Sequence, residues 1–288
     1  MKTIAIIGAG RLGTSLAAAL AGKGCQVKAV SDCDAAAARE GLRIIGQGRA
    51  FTDNTLAAAA AEVVFFCLSD DVLAGEVKKL SRSGIDWKGK FVFHTSGLHS
   101  SGVLGPLKKL GALAASFHPI QAFAGKKTPA SHFEGIFWGV EGNLQAVSLG
   151  REIAANLGGR ILRIRAGQKP LYHAACVMAS NFLVMLLDQA AALLEEAGVS
   201  RQKAARALFP LVEGTLRNVK GLDVSRALTG PLVRGDLRSV KAHLDALRRR
   251  PETRRAYQAL GKTALGAAAK QGLSPQRLTA LKRLLEGK

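Results

Sequence analysis

A glycine-rich turn near the start of the chain most constrains the fold. The apolar run Ile4–Ile7 leads directly into Gly8, Gly10 and Gly13, spaced as GxGxxG, and an alanine- and leucine-rich helical stretch follows. Strand, glycine turn and helix in this order are typical of a βαβ unit that binds a dinucleotide. The alternative is a glycine-rich β-to-α turn that binds no ligand.

Each position of such a turn has its own physical role. Gly8 would allow the sharp exit from the strand, Gly10 would let the backbone approach a pyrophosphate, and Gly13 would let the helix pack closely on the sheet. The backbone amides of Arg11, Leu12 and Gly13 would open the helix and face the anion. These five positions are the predicted phosphate-binding segment.

An acidic residue follows the second strand-like run, residues 26–31, at the position that contacts the adenosine ribose in dinucleotide-binding units. The Asp32 carboxylate would bond the ribose hydroxyls and repel a 2′-phosphate, which favours NAD(H) over NADP(H). Arg11, Arg39 and Arg43 could offset that repulsion. The predicted cofactor is therefore NAD(P), with NAD slightly favoured.

The remaining pattern predicts two domains. A chain of 288 residues with 48% hydrophobic residues has room for both. Up to residue 166, short apolar runs alternate with helical stretches, which predicts an α/β fold with a doubly wound Rossmann sheet. From Gly167 onward the pattern is helical only. We therefore predict a dinucleotide-binding domain over 1–166 and an all-helical substrate and dimerisation domain over 167–288.

The helical half is predicted to begin with one long helix, from Pro170 to about Ala197. Its middle is apolar on nearly every side, so it must be buried. About 120 residues can hardly surround such a helix, which predicts a partner subunit. Its length and polar flanks argue against a membrane span.

Composition bears on the remaining functional classes. The net charge is +20, but the excess is spread over both halves, and aromatic residues make up only 5%, so nucleic-acid binding is not favoured. The four cysteines show no CxxC pair and no metal-ligand spacing, so we predict free thiols and no metal site. The start of the chain lacks a secretory pattern, and we expect a cytoplasmic protein.

Ligands of doubly wound sheets bind beyond the carboxyl ends of the strands. Leu68 and Ser69 follow one predicted strand and are expected to contact the cofactor. Ser96 and His118 follow two others and are expected to line a nicotinamide and substrate pocket, although His118 could equally be structural. Asp70–Asp71 would cap the next helix or lie near the cofactor.

The long helix carries a second polar group. Lys169, His173, Cys176 and Ser180 lie on one helical face, and Asn181 lies beside it. Histidine can donate a proton near neutral pH, and lysine or asparagine can hold a carbonyl or hydroxyl group. The alternative is that His173 and Asn181 only bond neighbouring helices.

A third polar cluster interrupts the helical half between Leu228 and Asp236. Arg234 could bind a substrate carboxylate through two parallel hydrogen bonds, and Thr229 could assist it. The alternative is a loop that starts a helix, with Asp236 as its cap.

These segments resemble the Rossmann-like oxidoreductases whose second, helical domain has no known function and which are related to deazaflavin-dependent NADP oxidoreductases. The chain is more distantly similar to pyrroline-5-carboxylate reductases and to 6-phosphogluconate and 3-hydroxyacid dehydrogenases. The resemblance implies a homodimer built through the helical domains, with the active site between the two domains. The segments that carry it are His94–Gly97, Phe117–Phe123, Tyr172–Ala175, Ala179–Phe182 and Ala227–Asp236.

In the distant hydroxyacid dehydrogenases a lysine and an asparagine on the long helix act at the substrate. The resemblance makes Lys169 and Asn181 their counterparts, with a different spacing, and His173 is the alternative to the lysine.

The resulting hypothesis is an NAD(P)-dependent oxidoreductase that moves a hydride between nicotinamide and a small, anionic carbonyl, imine or hydroxy compound. His173 would be the acid or base, Asn181, Ser96 and Lys169 would act at the substrate, and Arg234 would clamp an anion. A catalytically silent dinucleotide-binding sensor or scaffold is the alternative, and a nucleic-acid binder is the third reading.

Overall fold

A single eight-stranded sheet organises the first part of the chain. The computed structural model describes residues 2–287, and its strands lie in the order β3-β2-β1-β4-β5-β6-β7-β8. Neighbouring strands are parallel except β6 and β7, which are antiparallel. The strands are β1 (Ile4–Ile7), β2 (Val27–Ser31), β3 (Arg49–Phe51), β4 (Val63–Phe66), β5 (Phe91–His94), β6 (Leu113–Pro119), β7 (Phe137–Gly142) and β8 (Arg160–Arg163).

Helices cover both faces of this sheet. Alternate residues of each central strand point to opposite faces, and both sets are apolar, as parallel strands between two helical layers require. The helices of this part are α1 (Arg11–Gly22), α2 (Ala35–Ile45), α3 (Asn54–Ala59), α4 (Asp70–Leu80), α5 (Gly105–Lys108), α6 (Leu144–Asn156) and α7 (Lys169–Ala179). Phe65 packs on the side of α1 and α6, whereas Phe66 packs on the side of α4 and α5.

The predicted fold class is confirmed, with one strand added. The parallel-dominated sheet is followed by a helical region, as expected. The edge strand β3 was not predicted, because three residues with a charged, exposed Arg49 give no apolar run.

The predicted long helix is interrupted at Ser180, which has φ −118° and ψ −70°. Its first segment, α7, belongs to the compact unit formed by residues 1–181, and the second compact unit spans 182–288. The structural division therefore lies after Asn181 and not after residue 166. The physical reason is Lys169, whose side chain is fully buried against residues of the sheet unit.

The second unit is helical. Val240 and Leu244 of α12 form its core with Leu281 and Leu285 of α14. The helices are α8 (Asn181–Glu196), which begins at the last residue of the first unit, then α9 (Arg201–Gly221), α10 (Val224–Ala227), α11 (Pro231–Arg234), α12 (Leu237–Ala246), α13 (Pro251–Lys270) and α14 (Pro275–Glu286).

The single chain leaves most of the long apolar helix uncovered, and its predicted burial by a partner subunit stays a prediction. Of α8, only Ala191 is buried, and Phe182 and Met185 are each more than half exposed. Among the described residues, the stretch Ala166–Glu196, which the backbone break at Ser180 divides, is long and apolar enough to cross a membrane by length and composition alone.

Candidate functional site

A cavity of about 360 Å³ lies at the carboxyl ends of β4, β5 and β6. These parallel strands all end at the same edge of the sheet, so the polar residues that follow them are brought together. Its walls are Leu12 of α1, residues 67–70 after β4, Thr95, Ser96 and Gly97 after β5, and His118, Pro119, Gln121 and Phe123 from the end of β6 and beyond.

Two of the three glycines in the turn after β1 are required by the protein itself. Gly8 has φ +102°, and a Cβ there would lie 2.4 Å from the carbonyl oxygen of Cys67. A Cβ on Gly13 would lie 2.0 Å from the carbonyl oxygen of Gly8. Gly10 is different, because no protein atom lies within 4 Å of its Cβ position. The open space at Gly10 is therefore available to a ligand.

The start of α1 presents unpaired donors to this space. The first helical backbone bond runs from the Thr14 amide to the Gly10 carbonyl, at 3.1 Å. The amides of Arg11, Leu12 and Gly13 precede it and bond no group in the described part of the chain. The first turn has no acidic residue, and Gly10 offers no capping side chain. Three free amides at the positive end of a helix fit a phosphate group.

Asp32, at the end of β2, is tied to the glycine turn. One carboxylate oxygen accepts a hydrogen bond from the Ala9 amide at 2.9 Å, and the other accepts one from the Asp34 amide at 3.0 Å. The side chain is half-buried, which leaves its negative charge beside the turn. Asp32 therefore both fixes the turn and places a carboxylate at its rim.

The start of α4 differs from the predicted cap. Ser69 occupies the N-cap position, and Asp70 and Asp71 lie within the first turn. Hydrogen bonds from the Ser69 hydroxyl and from backbone amides lower the pKa of Asp71. Ser69 and Leu68 line the cavity, as does Asp70.

Lys169 is the most buried cation near the cavity. Its side chain is fully buried, and its ammonium donates to the Ser96 carbonyl at 3.1 Å and to the Ser116 hydroxyl at 2.9 Å. It also lies 4.9 Å from the centre of the Tyr172 ring. Burial lowers the pKa of Lys169 to about 8, against the attraction of the Glu141 carboxylate. Lys169 thus holds the turn after β5 rather than reaching into the cavity.

Two histidines meet at Gly97. A Cβ on Gly97 would lie 2.5 Å from Cδ2 of His173 and 3.0 Å from Nε2 of His118. The two imidazole rings are 6.2 Å apart and nearly perpendicular. The Nδ1 atom of His118 lies 2.6 Å from the hydroxyl oxygen of Tyr172. Burial lowers the pKa of His118 to about 3, and the charges of Lys169 and His173 add to that effect.

The Ser96 hydroxyl has a structural task as well. Its oxygen accepts hydrogen bonds from the amides of Leu98 and His99, at 3.1 and 2.9 Å. Its own hydrogen is still available to a ligand, because those two bonds use only the oxygen lone pairs.

The remaining predicted residues divide into two groups. Asn181 is exposed, and no hydrogen bond joins its side chain to another described residue. Thr229 and Arg234 belong to the helical unit and are exposed. Asp236 caps α12 by accepting from the Ser239 amide at 3.0 Å.

Tyr172 is the contributor that the sequence pattern missed. It lies three positions after Lys169 and four before Cys176, a spacing that places it beside the polar stripe of the helix, but its mostly apolar ring was not counted among the polar residues. Cys67 and Phe123 also line the cavity without having been predicted. Within residues 2–287, no group of three histidine, cysteine or acidic side chains is arranged to hold a metal ion.

Two protein-family models match this chain, one over the sheet-forming part and one further along the chain. Residues 2–119 match the Rossmann-like domain, and residues 136–264 match a domain of unknown function, DUF2520. The search against curated proteins found no match.

Solved structures share this architecture. A Bacteroides fragilis protein, described provisionally as an NADP oxidoreductase, is 26% identical, with a TM-score of 0.77 over 91% of this chain and 97% of that one. A reductive aminase from Aspergillus terreus, in complex with NADPH and ethyl-5-oxohexanoate, is 19% identical, with a TM-score of 0.62 over 100% and 93%. Plasmodium falciparum pyrroline carboxylate reductase with NADP bound is 12% identical, with a TM-score of 0.60 over 98% of each chain.

The buried state of Lys169 predicts a pH-dependent stability. The folded protein releases the Lys169 proton near pH 8, whereas the unfolded chain retains it to about pH 10.4. Between these values the unfolded state binds more protons, so the contribution of Lys169 to stability rises with pH. We expect the unfolding free energy of wild type minus that of Lys169→Met to rise by about 1–2 kcal/mol from pH 8 to pH 10.

Guanidinium denaturation at each pH measures this difference. Lys28→Met, at an exposed position, controls for the loss of one surface charge. A flat or falling difference for Lys169→Met would mean that the ammonium is well solvated in the folded state.

Proposed function

Because the chain joins a Rossmann-like domain to a DUF2520 domain, we propose that it is an oxidoreductase that uses a nicotinamide dinucleotide. It would transfer a hydride between the nicotinamide and a small carbonyl, imine or hydroxy compound. One observation carries the proposal: the free amides of α1 face the open space at Gly10, beside the cavity at the strand ends. This is the arrangement that a dinucleotide pyrophosphate requires.

The relatives support the cofactor class. The Bacteroides fragilis protein is described as an NADP oxidoreductase, and the two enzymes with NADPH or NADP bound share the fold. The reaction and the substrate class follow from the side chains of the cavity.

The dinucleotide would supply the hydride, and the cavity side chains would hold the substrate. In the cavity wall, Ser96 offers a hydroxyl hydrogen and His118 offers an imidazole. The imidazole of His173, the proposed acid or base, lies against Gly97 from α7 and does not line the cavity itself. Lys169 fixes the Ser96 carbonyl and gives the region a positive charge that suits an anionic substrate. From the sequence pattern alone, we also propose that Asn181, Thr229 and Arg234 bind substrate.

Calorimetric titration with NAD⁺, NADH, NADP⁺ and NADPH tests the proposal. Gly10→Ala should weaken binding of the preferred pair at least tenfold, because its methyl group would enter the space proposed for the pyrophosphate. It should lower stability by less than about 1 kcal/mol, the difference between glycine and alanine at an N-cap.

Gly22→Ala is the matched control, since Gly22 lies at the other end of α1 and has no atom within 4 Å of its Cβ position. Wild-type binding by Gly10→Ala, or no binding by the wild type, would overturn the proposal. Binding without turnover across carbonyl, imine and hydroxy substrates would favour a silent dinucleotide-binding sensor instead.

Cofactor choice is proposed to follow Asp32, whose carboxylate stands at the rim of the glycine turn. Its charge would repel a 2′-phosphate, so we propose a preference for NAD(H). Asp32→Ser should raise the affinity for NADP(H) relative to NAD(H) by about tenfold in the same titrations. Asp34→Ser, at the exposed cap of α2, controls for the loss of one negative charge. An unchanged ratio in Asp32→Ser would exclude Asp32 from cofactor selection.

We also propose that the protein is a homodimer through its helical unit. Phe182 and Met185 of α8 and Phe209 and Leu211 of α9 are all more than half exposed in one chain. Exposed apolar groups of this size on adjoining helices are typical of an interface. A second copy of the same helices would cover them and would satisfy the predicted burial of α8.

Light scattering coupled to gel filtration tests this assembly. The wild type should have about twice the chain mass of 30.2 kDa. Met185→Glu should shift the mass toward one chain, because a carboxylate would be buried in the interface. Leu144→Glu, at an exposed leucine of the sheet unit, should not. A monomeric wild type, or one that is soluble only in detergent, would contradict the homodimer.

A further inference from the structure

The protonation pattern of His118 can be inferred from its neighbours. We propose that Tyr172 is a positioning residue that holds His118 as a neutral imidazole with its hydrogen on Nε2. This N–H would donate a hydrogen bond into the cavity, to the oxygen or nitrogen of the carbonyl, imine or hydroxy group that reacts. The part that concerns the substrate rests on the proposed function.

The two nitrogens of His118 have different surroundings. Nδ1 lies 2.6 Å from the Tyr172 hydroxyl oxygen, and the two rings are perpendicular with centres 5.6 Å apart. Nε2 bonds no group in the part of the chain that the structure describes. It faces Gly97, which has no side chain, and both His118 and Gly97 line the cavity. Only Nε2 is therefore placed to meet a ligand.

The direction of the bond between Tyr172 and His118 follows from their chemistry. A phenol O–H is a stronger donor than a neutral imidazole N–H, and an imidazole nitrogen is the better acceptor. Tyr172 keeps its hydrogen at neutral pH because burial strongly raises its pKa. The short distance of 2.6 Å to Nδ1 of His118 makes that nitrogen the acceptor for the hydroxyl hydrogen. A neutral imidazole has one N–H, so an accepting Nδ1 leaves the hydrogen on Nε2.

Gly139 makes room for this contact. It pairs with His118 across β6 and β7, and a Cβ there would lie 2.3 Å from the Tyr172 hydroxyl oxygen. The hydroxyl reaches the strand only because the side chain is absent. The pair is therefore built from three elements, β6, β7 and α7.

The charges around His118 favour its neutral form. Lys169 and His173 face it from α7, and His94 lies on the neighbouring strand β5. Cys176 faces Tyr172 from the same helix. The buried Glu141 carboxylate of β7 accepts hydrogen bonds from the Ser101 amide and from the Ser101 hydroxyl, the latter at 2.8 Å. His118 thus acts as a neutral donor, not as an imidazolium acid.

Nuclear magnetic resonance of the ¹⁵N-labelled full chain, without ligand, tests the assignment. Long-range ¹H–¹⁵N spectra report which imidazole nitrogen carries hydrogen, and His118→Gln assigns the signals. Between pH 5 and pH 8 we expect one His118 species, protonated on Nε2 and bare on Nδ1. Tyr172→Phe should replace it with a mixture of tautomers. Hydrogen on Nδ1 in the wild type, or an imidazolium at pH 7, would overturn the inference.

The chain contains a matched control. In the helical unit, Nδ1 of His243 lies 2.9 Å from the Tyr257 hydroxyl, with rings 5.8 Å apart and nearly perpendicular. Tyr257→Phe removes the same kind of hydrogen bond and should leave the His118 signals unchanged. A changed His118 spectrum in Tyr257→Phe would show that the effect of Tyr172→Phe is not local.

Kinetics provide the second readout. With a substrate found in the screen, Tyr172→Phe should lower kcat about tenfold, the effect of one hydrogen bond, without changing dinucleotide affinity. An unchanged kcat would remove the link to the substrate. The expected tautomer in a protein that binds no dinucleotide would refute the proposed function and leave the positioning by Tyr172 intact, so the two failures are distinguishable.

Discussion

The buried ammonium of Lys169 is the interaction on which the arrangement of the site depends. A lysine removed from water must bond its hydrogens within the protein, and here they reach the Ser96 carbonyl and the Ser116 hydroxyl. These two bonds attach the first turn of α7 to the turn after β5 and to the middle of β6. Tyr172 and His173 follow within one helical turn, so the same attachment brings their rings to His118 and Gly97. It also explains why α7 belongs to the sheet unit.

The three glycines of the turn after β1 have different surroundings. Gly8 and Gly13 are demanded by the backbone around them, whereas Gly10 faces open space. Gly10 therefore leaves room for a ligand beside the unpaired amides of α1, which suit an anion.

Much of this could be predicted from the sequence, and the exceptions have physical causes. The central strands and their polar ends were predictable, because continuous apolar runs followed by polar residues identify buried parallel strands. Strand ends thereby placed Leu68, Ser69, Ser96 and His118 at the cavity, and the glycine turn placed Leu12 there. Tyr172 was not predictable, because its role depends on Gly139 across the sheet. The burial of Lys169 was equally hidden, since a lysine on a helical stripe normally predicts a solvated or cavity-facing group.

The electrostatics of the cavity restrict the chemistry that it can support. The Lys169 ammonium is held in place by its hydrogen bonds, and its charge disfavours a second positive charge nearby. Burial, together with this repulsion, lowers the pKa of His94 and of His118 and keeps both imidazoles neutral. Asp70 adds an acidic group to the cavity wall, whereas Asp32 lies beside the glycine turn. A substrate in this cavity would therefore meet one fixed positive charge behind neutral hydrogen-bond donors. Such an environment stabilises negative charge that develops on an oxygen as a hydride reaches the neighbouring carbon, without requiring a charged histidine.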